Sequence, residues 1–452
     1  MSQLPNELAL KRIARALEFT PTAAYSAPHD YPHAAPIFVP APGLARERVD
    51  AEALRLYVHV PFCNYACSFC CYAKKVGVER DQMARYVRAL AQELEWVAPG
   101  TPVSQFFIGG GTPTALPADL LADLLAAITA RMPFHGDHVH TVEASPESVT
   151  DAHLDALRHY GVGRVSMGIQ SLEDSVLDTV RRDHAAGLAL ESCARIVDAG
   201  LILNIDLMYG LPGQDVAGFR RDFERVAKAG VHAVTAYNLR LNERTVVARS
   251  IAPADRFDIA RLMHWRASIR DIAAEFGYAQ TRWHTFKRLD TAAARHQWLA
   301  TAGADMKGYQ FGIGMSARST LGHSTYRNHA GMDAYMRRIE AGESPVEEVI
   351  HLDEQDLRTQ FIARSLGDGR VLSLARYADT FGSELADDHG ATLQRLLEGG
   401  LVQQDGDTIG LTESGKLLYD LVTLAFYPAK AKAWLLERLQ SYQIDGLIAR
   451  EV

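Results

Sequence analysis

A regular alternation of short β-rich runs with longer amphipathic stretches, between about residues 51 and 240, constrains the fold of this chain more than any other feature. The runs fall at 56–60 (LYVHV), 105–108 (QFFI), 139–143 (VHTVE), 164–169 (RVSMGI), 202–207 (ILNIDL) and 233–237 (AVTAY). Helical periodicity occupies 81–97, 117–131, 150–159, 172–179, 185–199 and 216–228. Strands that alternate with helices imply βαβ units and a parallel sheet. Six such units, with unusual residues just after the strand ends, predict an α/β fold built on a partial (βα)6 TIM-type barrel. Functional groups of such a barrel gather at its C-terminal strand edge. A doubly wound open sheet is the competing architecture.

Outside that rhythm the chain changes character. Residues 5–19 read as a helix, and 20–50, with six prolines, as an extended segment wrapped on the surface. After about residue 340 the alternation stops and helical sequence follows. Residues 396–422 then spell a helix end, a Gly-Gly stop, a short strand, an Asp-Gly turn, a second strand and a closing helix. That is a winged-helix outline. The expected organisation is therefore 1–50 (helix and wrapping segment), 51–340 (barrel with an extension) and 341–452 (a mainly helical, winged-helix-like cap). DNA binding would need a basic recognition helix, but the helix at 387–400 reads DDHGATLQRLLEGG and the formal net charge is −8. A structural lid or substrate cap is expected instead, with no nucleic-acid partner. No run of about 18 apolar residues predicts a membrane span. The first 19 residues mix charge into every turn, unlike a signal peptide, which points to the cytoplasm.

Four of the five cysteines fall between Cys63 and Cys71. Such crowding reads as metal ligation or redox chemistry rather than a disulfide scaffold. Cys193, alone in an amphipathic stretch, reads as a small buried hydrophobe. Cys63-Asn-Tyr-Ala-Cys67-Ser-Phe-Cys70 follows the first predicted strand and its Pro61 stop. Soft thiolates on one loop suit zinc or an iron–sulfur cluster. No second CxxC or HxxxH pair completes a four-ligand zinc site. Three ligands with an open fourth position suit a cluster whose unique iron takes an external ligand. Cys71 is expected to be a non-ligand, since adjacent side chains rarely point the same way.

C-x3-C-x2-C after a strand resembles the signature of the radical S-adenosylmethionine superfamily. The longer stretch Tyr57-Val-His-Val-Pro-Phe-Cys63 is similar to its oxygen-independent coproporphyrinogen III oxidase-like branch. The resemblance implies a [4Fe–4S] cluster on Cys63, Cys67 and Cys70, with S-adenosylmethionine on the open iron as the source of a 5′-deoxyadenosyl radical. It also implies a one-electron donor such as flavodoxin or ferredoxin. The likeness recurs in order over roughly 55–420. Gly109-Gly110-Gly111-Thr112-Pro113 matches the turn that meets the cofactor's amino group, and Glu143 the carboxylate ending the third strand. Gln170 in SMGIQS, Arg182 with His184 in VRRDH, and Asp206 in NIDLMYGLPGQ match further cofactor contacts. Tyr57 and Phe69 complete the expected cofactor set, Phe69 beside the adenine. A polar residue satisfied at a strand end is the plain reading of each one taken singly.

The cluster loop departs from the oxidases at one point. Their motif continues C-x-C, whereas this chain reads Cys70-Cys71-Tyr72, and the haem-chaperone relatives carry an acidic residue where Cys71 stands. The Cys67-Ser-Phe69-Cys70 spacing resembles the class C radical methyltransferases of the same branch. That resemblance implies two S-adenosylmethionine molecules and methyl transfer, or another carbon–carbon bond, at an unsaturated carbon. Arg240 and Arg318 would then lie at the second cofactor as catalytic residues. The same arginines could instead grip the propionates of a porphyrinogen. Class C methyl transfer is the expected reaction; oxidative decarboxylation of a tetrapyrrole and haem chaperoning are the alternatives. The substrate is a small molecule or tetrapyrrole, and oligomeric state is not legible.

Overall fold

The computed structural model describes residues 7–19, 21, 39–46, 54–135, 139–241, 245–252, 256–291, 308–367 and 369–433. Most of the expected wrapping segment lies outside the described residues. The six expected strands are present: β1 (Leu54–Val60), β2 (Val103–Gly110), β3 (His140–Ala144), β4 (Val162–Gln170), β5 (Ile202–Tyr209) and β6 (Ala233–Asn238). They run parallel in chain order, β1 to β6. A strand covered on both faces reads as a near-continuous apolar run rather than an alternation. β1 instead alternates, LRLYVHV, with Leu56, Val58 and Val60 fully buried on one face and Arg55, Tyr57 and His59 on the other. Each of the three apolar side chains contributes roughly 1.5–3 kcal/mol of transfer free energy.

Helices return the chain between strands. The one at Val216–Lys228 starts where the Asp215 carboxylate accepts from Gly218 N at 2.7 Å, a cap that satisfies an otherwise open amide. Its Phe219, Phe223 and Val226, at helical spacing, are fully buried.

The sheet is wider than the sequence pattern indicates. β7 (Ala279–Arg282) and β8 (Thr285–Lys287) form a hairpin antiparallel to β6. On the other flank β9 (Gly308–Ile313) lies parallel to β1, and β10 (Arg318–Gly322), β11 (Ser324–Asn328) and β12 (Val346–His351) continue antiparallel. The strand order runs from Val39–Pro40 through β12, β11, β10, β9 and β1–β6 to β8 and β7, thirteen strands among the described residues. Its ends do not meet. The partial-barrel expectation holds, and the open doubly wound alternative gives way to it. β12 corrects the boundary near residue 340, because residues 346–351 are still part of the large sheet.

The C-terminal unit has the winged-helix outline. Helices Glu354–Leu366, Leu374–Phe381 and Leu385–Glu398 accompany a small sheet in which Leu372–Ser373 and Val402–Asp405 flank Thr408–Leu411. The closing helix is Tyr419–Ala425. The N-terminal helix Glu7–Leu17 docks here, with Arg395 bonded to Glu18 at 2.6 Å just beyond its end. Arg46 joins a second, buried junction. Glu93 accepts from Arg46, Asn328, Tyr335 and Gly314 N, tying the helix Arg80–Leu94 to the β9–β11 extension. No helix among the described residues is long and apolar enough to cross a membrane.

Candidate active site

Pro61 ends β1, and Phe62–Cys63 then pairs with Lys75–Val76, so the intervening cysteine loop is closed at its base. Lys75 N donates to Pro61 O at 2.7 Å. The tip is pinned by Ser68 N to Val180 O and Val247 N to Ser68 O, both 3.0 Å. Within the loop Cys70 N donates to Cys67 O at 3.3 Å, and Lys74 Nζ to Cys70 O at 2.8 Å. Cys63, Cys67 and Cys70 are partly buried, Cys71 is exposed, and all are free thiols. Cys193 is buried in its helix, as expected of a small hydrophobe. Burial pushes the Cys63 thiol up to about 11, opposed by the Thr112 hydroxyl 3.8 Å from its sulfur.

The glycine turn after β2 packs directly on this loop. Gly111 N donates to Val60 O at 2.8 Å and Thr112 N to Phe62 O at 2.7 Å. A Cβ on Gly111 would lie 2.6 Å from Phe62 O, too close for any other residue to fit unshifted. Gly110 has φ +116° and would set a Cβ 2.6 Å from the His59 ring. Two reasons for glycine, close approach and a positive φ, thus coincide.

Glu143 lies next in the strand order. Its Oε2 accepts from Gly110 N at 3.1 Å, and burial together with nearby Asp206 pushes its carboxyl up to about 8. Asp206, on β5, is pushed to about 6 by burial, against the pull of Arg164 and of Asn204 Nδ2 at 2.8 Å. Arg164, on β4, faces both carboxylates and Tyr237. Sequence reasoning passed over Arg164 and Tyr237 because both sit inside runs read as strand; a charged residue in a buried-strand run was the available signal.

Gln170 ends β4 at a bulge, with φ +66°. A non-glycine residue there is strained, a state that clusters at functional sites. Its amide nitrogen would lie 3.0 Å from a Cβ on Gly168, on the side where Arg182 also approaches. Arg182 Nη1 is 3.4 Å from the Cys67 sulfur, Nη2 bonds the Gly168 carbonyl, and the guanidinium lies 5.5 Å from the Tyr65 ring centre. Neighbouring His184 is held neutral, pushed down to about 4 by burial and Arg182, so its 3.9 Å approach to Glu147 is no ion pair.

The remaining expected residues divide. Tyr57 bonds the His59 ring at 3.1 Å, and His59 in turn meets Ala73 O at 3.0 Å, joining β1 to the cysteine loop. Phe69 packs against an apolar cluster of Val176, Val180, Met208, Leu211, Leu239 and Val247. Arg240 follows β6, its Nε 3.5 Å from Asn238, and its charge reaches Cys71, Tyr72, Tyr209 and Tyr419. Arg318 opens β10 against Gly312, several strands from Arg240 in the sheet order.

A family model, that of the Radical SAM superfamily, matches residues 57–226, from β1 into the helix after β5. Among curated proteins the chain is similar to the oxygen-independent coproporphyrinogen III oxidase of Paracoccus denitrificans, 27% identical over 425 residues, 87% of this chain and 91% of that one. It is also similar to the heme chaperone HemW of Mycobacterium tuberculosis, 29% identical over 400 residues, 85% and 97% of the two chains. The solved coproporphyrinogen III oxidase of Escherichia coli, a radical SAM enzyme, superposes with a TM-score of 0.74 at 24% identity, covering 94% of this chain and 99% of that one. These relatives overturn the methyl-transfer expectation. Near-full-length likeness runs to oxidases and haem chaperones, so the Cys70-Cys71 departure and the Phe69 spacing do not move the chain out of their company.

Proposed function

We propose that the chain is a radical SAM enzyme of the oxygen-independent coproporphyrinogen III oxidase-like branch, to which it is similar over most of its length, and that it decarboxylates a propionate side chain of a porphyrinogen. It uses a [4Fe–4S] cluster and S-adenosylmethionine. When bound, these supply an electron and a 5′-deoxyadenosyl radical able to remove a hydrogen atom from an unactivated carbon. The propionate then loses that hydrogen atom, carbon dioxide and one electron, leaving a vinyl group; the electron leaves to a one-electron carrier.

The residues present suit these groups. Cys63, Cys67 and Cys70 offer three soft thiolates on one pinned loop, while exposed Cys71 stands apart. Among the described residues no three His, Cys, Asp or Glu side chains could share a single ion. The donor chemistry, three soft thiolates carried on one loop, is what would suit Cys63, Cys67 and Cys70 to an iron–sulfur cluster. Gly110, Gly111 and Thr112 would present backbone amides, and Tyr57, Phe69, Glu143, Gln170, Arg182 and Asp206 would seat the cofactor around them. Glu143 is suited to an ammonium group, which would return its carboxyl to the charged form. Arg240, beside Tyr72 and Tyr419, suits a substrate carboxylate, which a guanidinium grips through two parallel hydrogen bonds; Arg318 is the second candidate.

The observation that carries this reading is likeness to the oxidases over 87% of the chain, well past the radical core into the C-terminal unit. Haem chaperoning is the second reading, favoured by the equally extensive match to the Mycobacterium tuberculosis protein. Anaerobic turnover of coproporphyrinogen III with reduced, reconstituted protein separates them. Carbon dioxide and a vinyl product support decarboxylation. Tight stoichiometric haem binding with no turnover rejects it in favour of chaperoning.

A further inference from the structure

Arg266 is 7% exposed, in the middle of the helix Ile259–Glu275, which packs on the helix Val216–Lys228 and against β7. Every polar contact of its guanidinium leads to one of two places. Nη1 and Nη2 grip the Asp420 carboxylate at 3.0 and 2.9 Å, and Nη1 also donates to Leu417 O at 2.7 Å. Nε points to the Tyr209 hydroxyl, 3.4 Å away at the C-terminal end of β5. Its flat face covers the Tyr419 ring, 4.7 Å from the centre. Asp420 and Tyr419 are themselves 4% and 3% exposed.

A buried ion pair is a poor stabiliser, because desolvation offsets most of the attraction. It is a good locator, because a two-pronged fork fixes orientation as well as distance. What it locates here is an aromatic run. Tyr419 lies 6.4 Å from His284 and 6.2 Å from Trp283, in the β7–β8 turn, and His284 lies 5.4 Å from Tyr237 on β6. The Trp283 indole is anchored on Leu366 O at 2.6 Å, and Ala236 N on His284 O at 2.8 Å. Tyr237, 45% exposed, faces Asp206, Glu143 and Tyr72 across the barrel interior.

We infer that Arg266 is a positioning residue. It holds the buried Tyr419 of the C-terminal unit behind His284, and through that stack sets Tyr237 at the barrel mouth, where the Tyr237 ring forms one aromatic wall of the substrate site. The inference rests on the tetrapyrrole reading: a flat pyrrolic ring system is the substrate for which such a wall is suited. The C-terminal unit is then part of the site rather than an appended module.

The test uses the full chain with Arg266→Met, Arg266→Lys, Asp420→Asn and Tyr419→Leu. Coproporphyrin III binding is read by fluorescence quenching, and amide hydrogen exchange is read across 279–287. The Arg266 and Tyr419 variants should each weaken the porphyrin about tenfold. Arg266→Met combined with Tyr419→Leu should be no worse than either alone, because the two act as one unit. Exchange at 279–287 should quicken in the Arg266 and Asp420 variants. Lysine keeps the charge but not the fork, so a lysine variant that binds like wild type overturns the inference, as does an additive double variant. Should Arg266→Met fail to fold, the lysine and Asp420→Asn variants decide. A wild-type protein that binds no porphyrin overturns the tetrapyrrole reading; exchange that then still quickens upholds the coupling, and silent exchange overturns that too.

Discussion

Arg182 Nη1 stands 3.4 Å from the sulfur of Cys67 while the same guanidinium bonds the carbonyl of Gly168. A cation held beside a thiolate stabilises added negative charge, and hydrogen bonds to sulfur are among the levers that set the potential of a cluster. Arg182→Met should leave iron content unchanged and lower the reduction potential by on the order of tens of millivolts, the scale of losing one charge-assisted hydrogen bond. An electrochemical titration followed by electron spin resonance reads it; an unmoved potential would show that Arg182 serves only the protein.

The exposure of Cys71 beside three partly buried cysteines sets a second expectation. Alanine at Cys63, Cys67 or Cys70 should reduce bound iron from about four per chain to near none, whereas Cys71→Ala should retain it. Iron assay and absorption near 400 nm after anaerobic reconstitution distinguish the four variants.

Glu143 makes stability depend on pH. Its carboxyl is raised from 4.5 to about 8, so between those values the folded chain holds a proton that the unfolded chain has released. Stability should therefore fall as pH rises through that window and level off above it. Asp206, raised from 3.8 to about 6, adds a slope of the same sign at lower pH. Glu143→Gln should flatten the upper part, a gain on the order of a few kcal/mol at pH 8. Urea unfolding of cofactor-free protein at pH 5, 6.5 and 8 measures it; parallel pH curves for the two proteins would refute it.

Gly111 tests whether the turn supports the cysteine loop. Gly111→Ala forces a methyl against the Pro61 and Phe62 carbonyls. Cluster occupancy should drop at least about twofold although every cysteine remains, with stability down by roughly 1–3 kcal/mol. Full iron loading at wild-type stability would show that the turn moves freely.

The core of the fold was legible because its strands and helices are local signals. LYVHV and ILNIDL need no partner to be recognised as buried strands. β9 is different: GYQFGI contains two glycines in six residues and becomes a strand through pairing with β1, some 250 positions earlier. The hairpin strand AQTR has no apolar alternation, and it exists because it edges β6 through β8. At the site, the cysteines and the glycine turn announced themselves by spacing. Arg266 did not, since a lone arginine in a helix reads as solvent-facing until the fold shows what it meets. The reaction was misread for a related reason. One loop spacing was given more weight than a resemblance running the length of the chain.

The parallel pairing of β9 with β1 has a bearing on how the protein is made. The strand that carries the cluster loop lies inside the sheet, with β2 on one side and β9 on the other. β2 leaves the ribosome soon after β1, but β9 follows about two hundred residues later. Contacts this distant in sequence form late, because the intervening chain must be ordered first. Until then β1 keeps an open edge, and the Gly314 backbone that closes over His59 is missing. Iron–sulfur assembly on this chain should therefore come late in biogenesis, and nascent chains halted before residue 308 should accept no cluster.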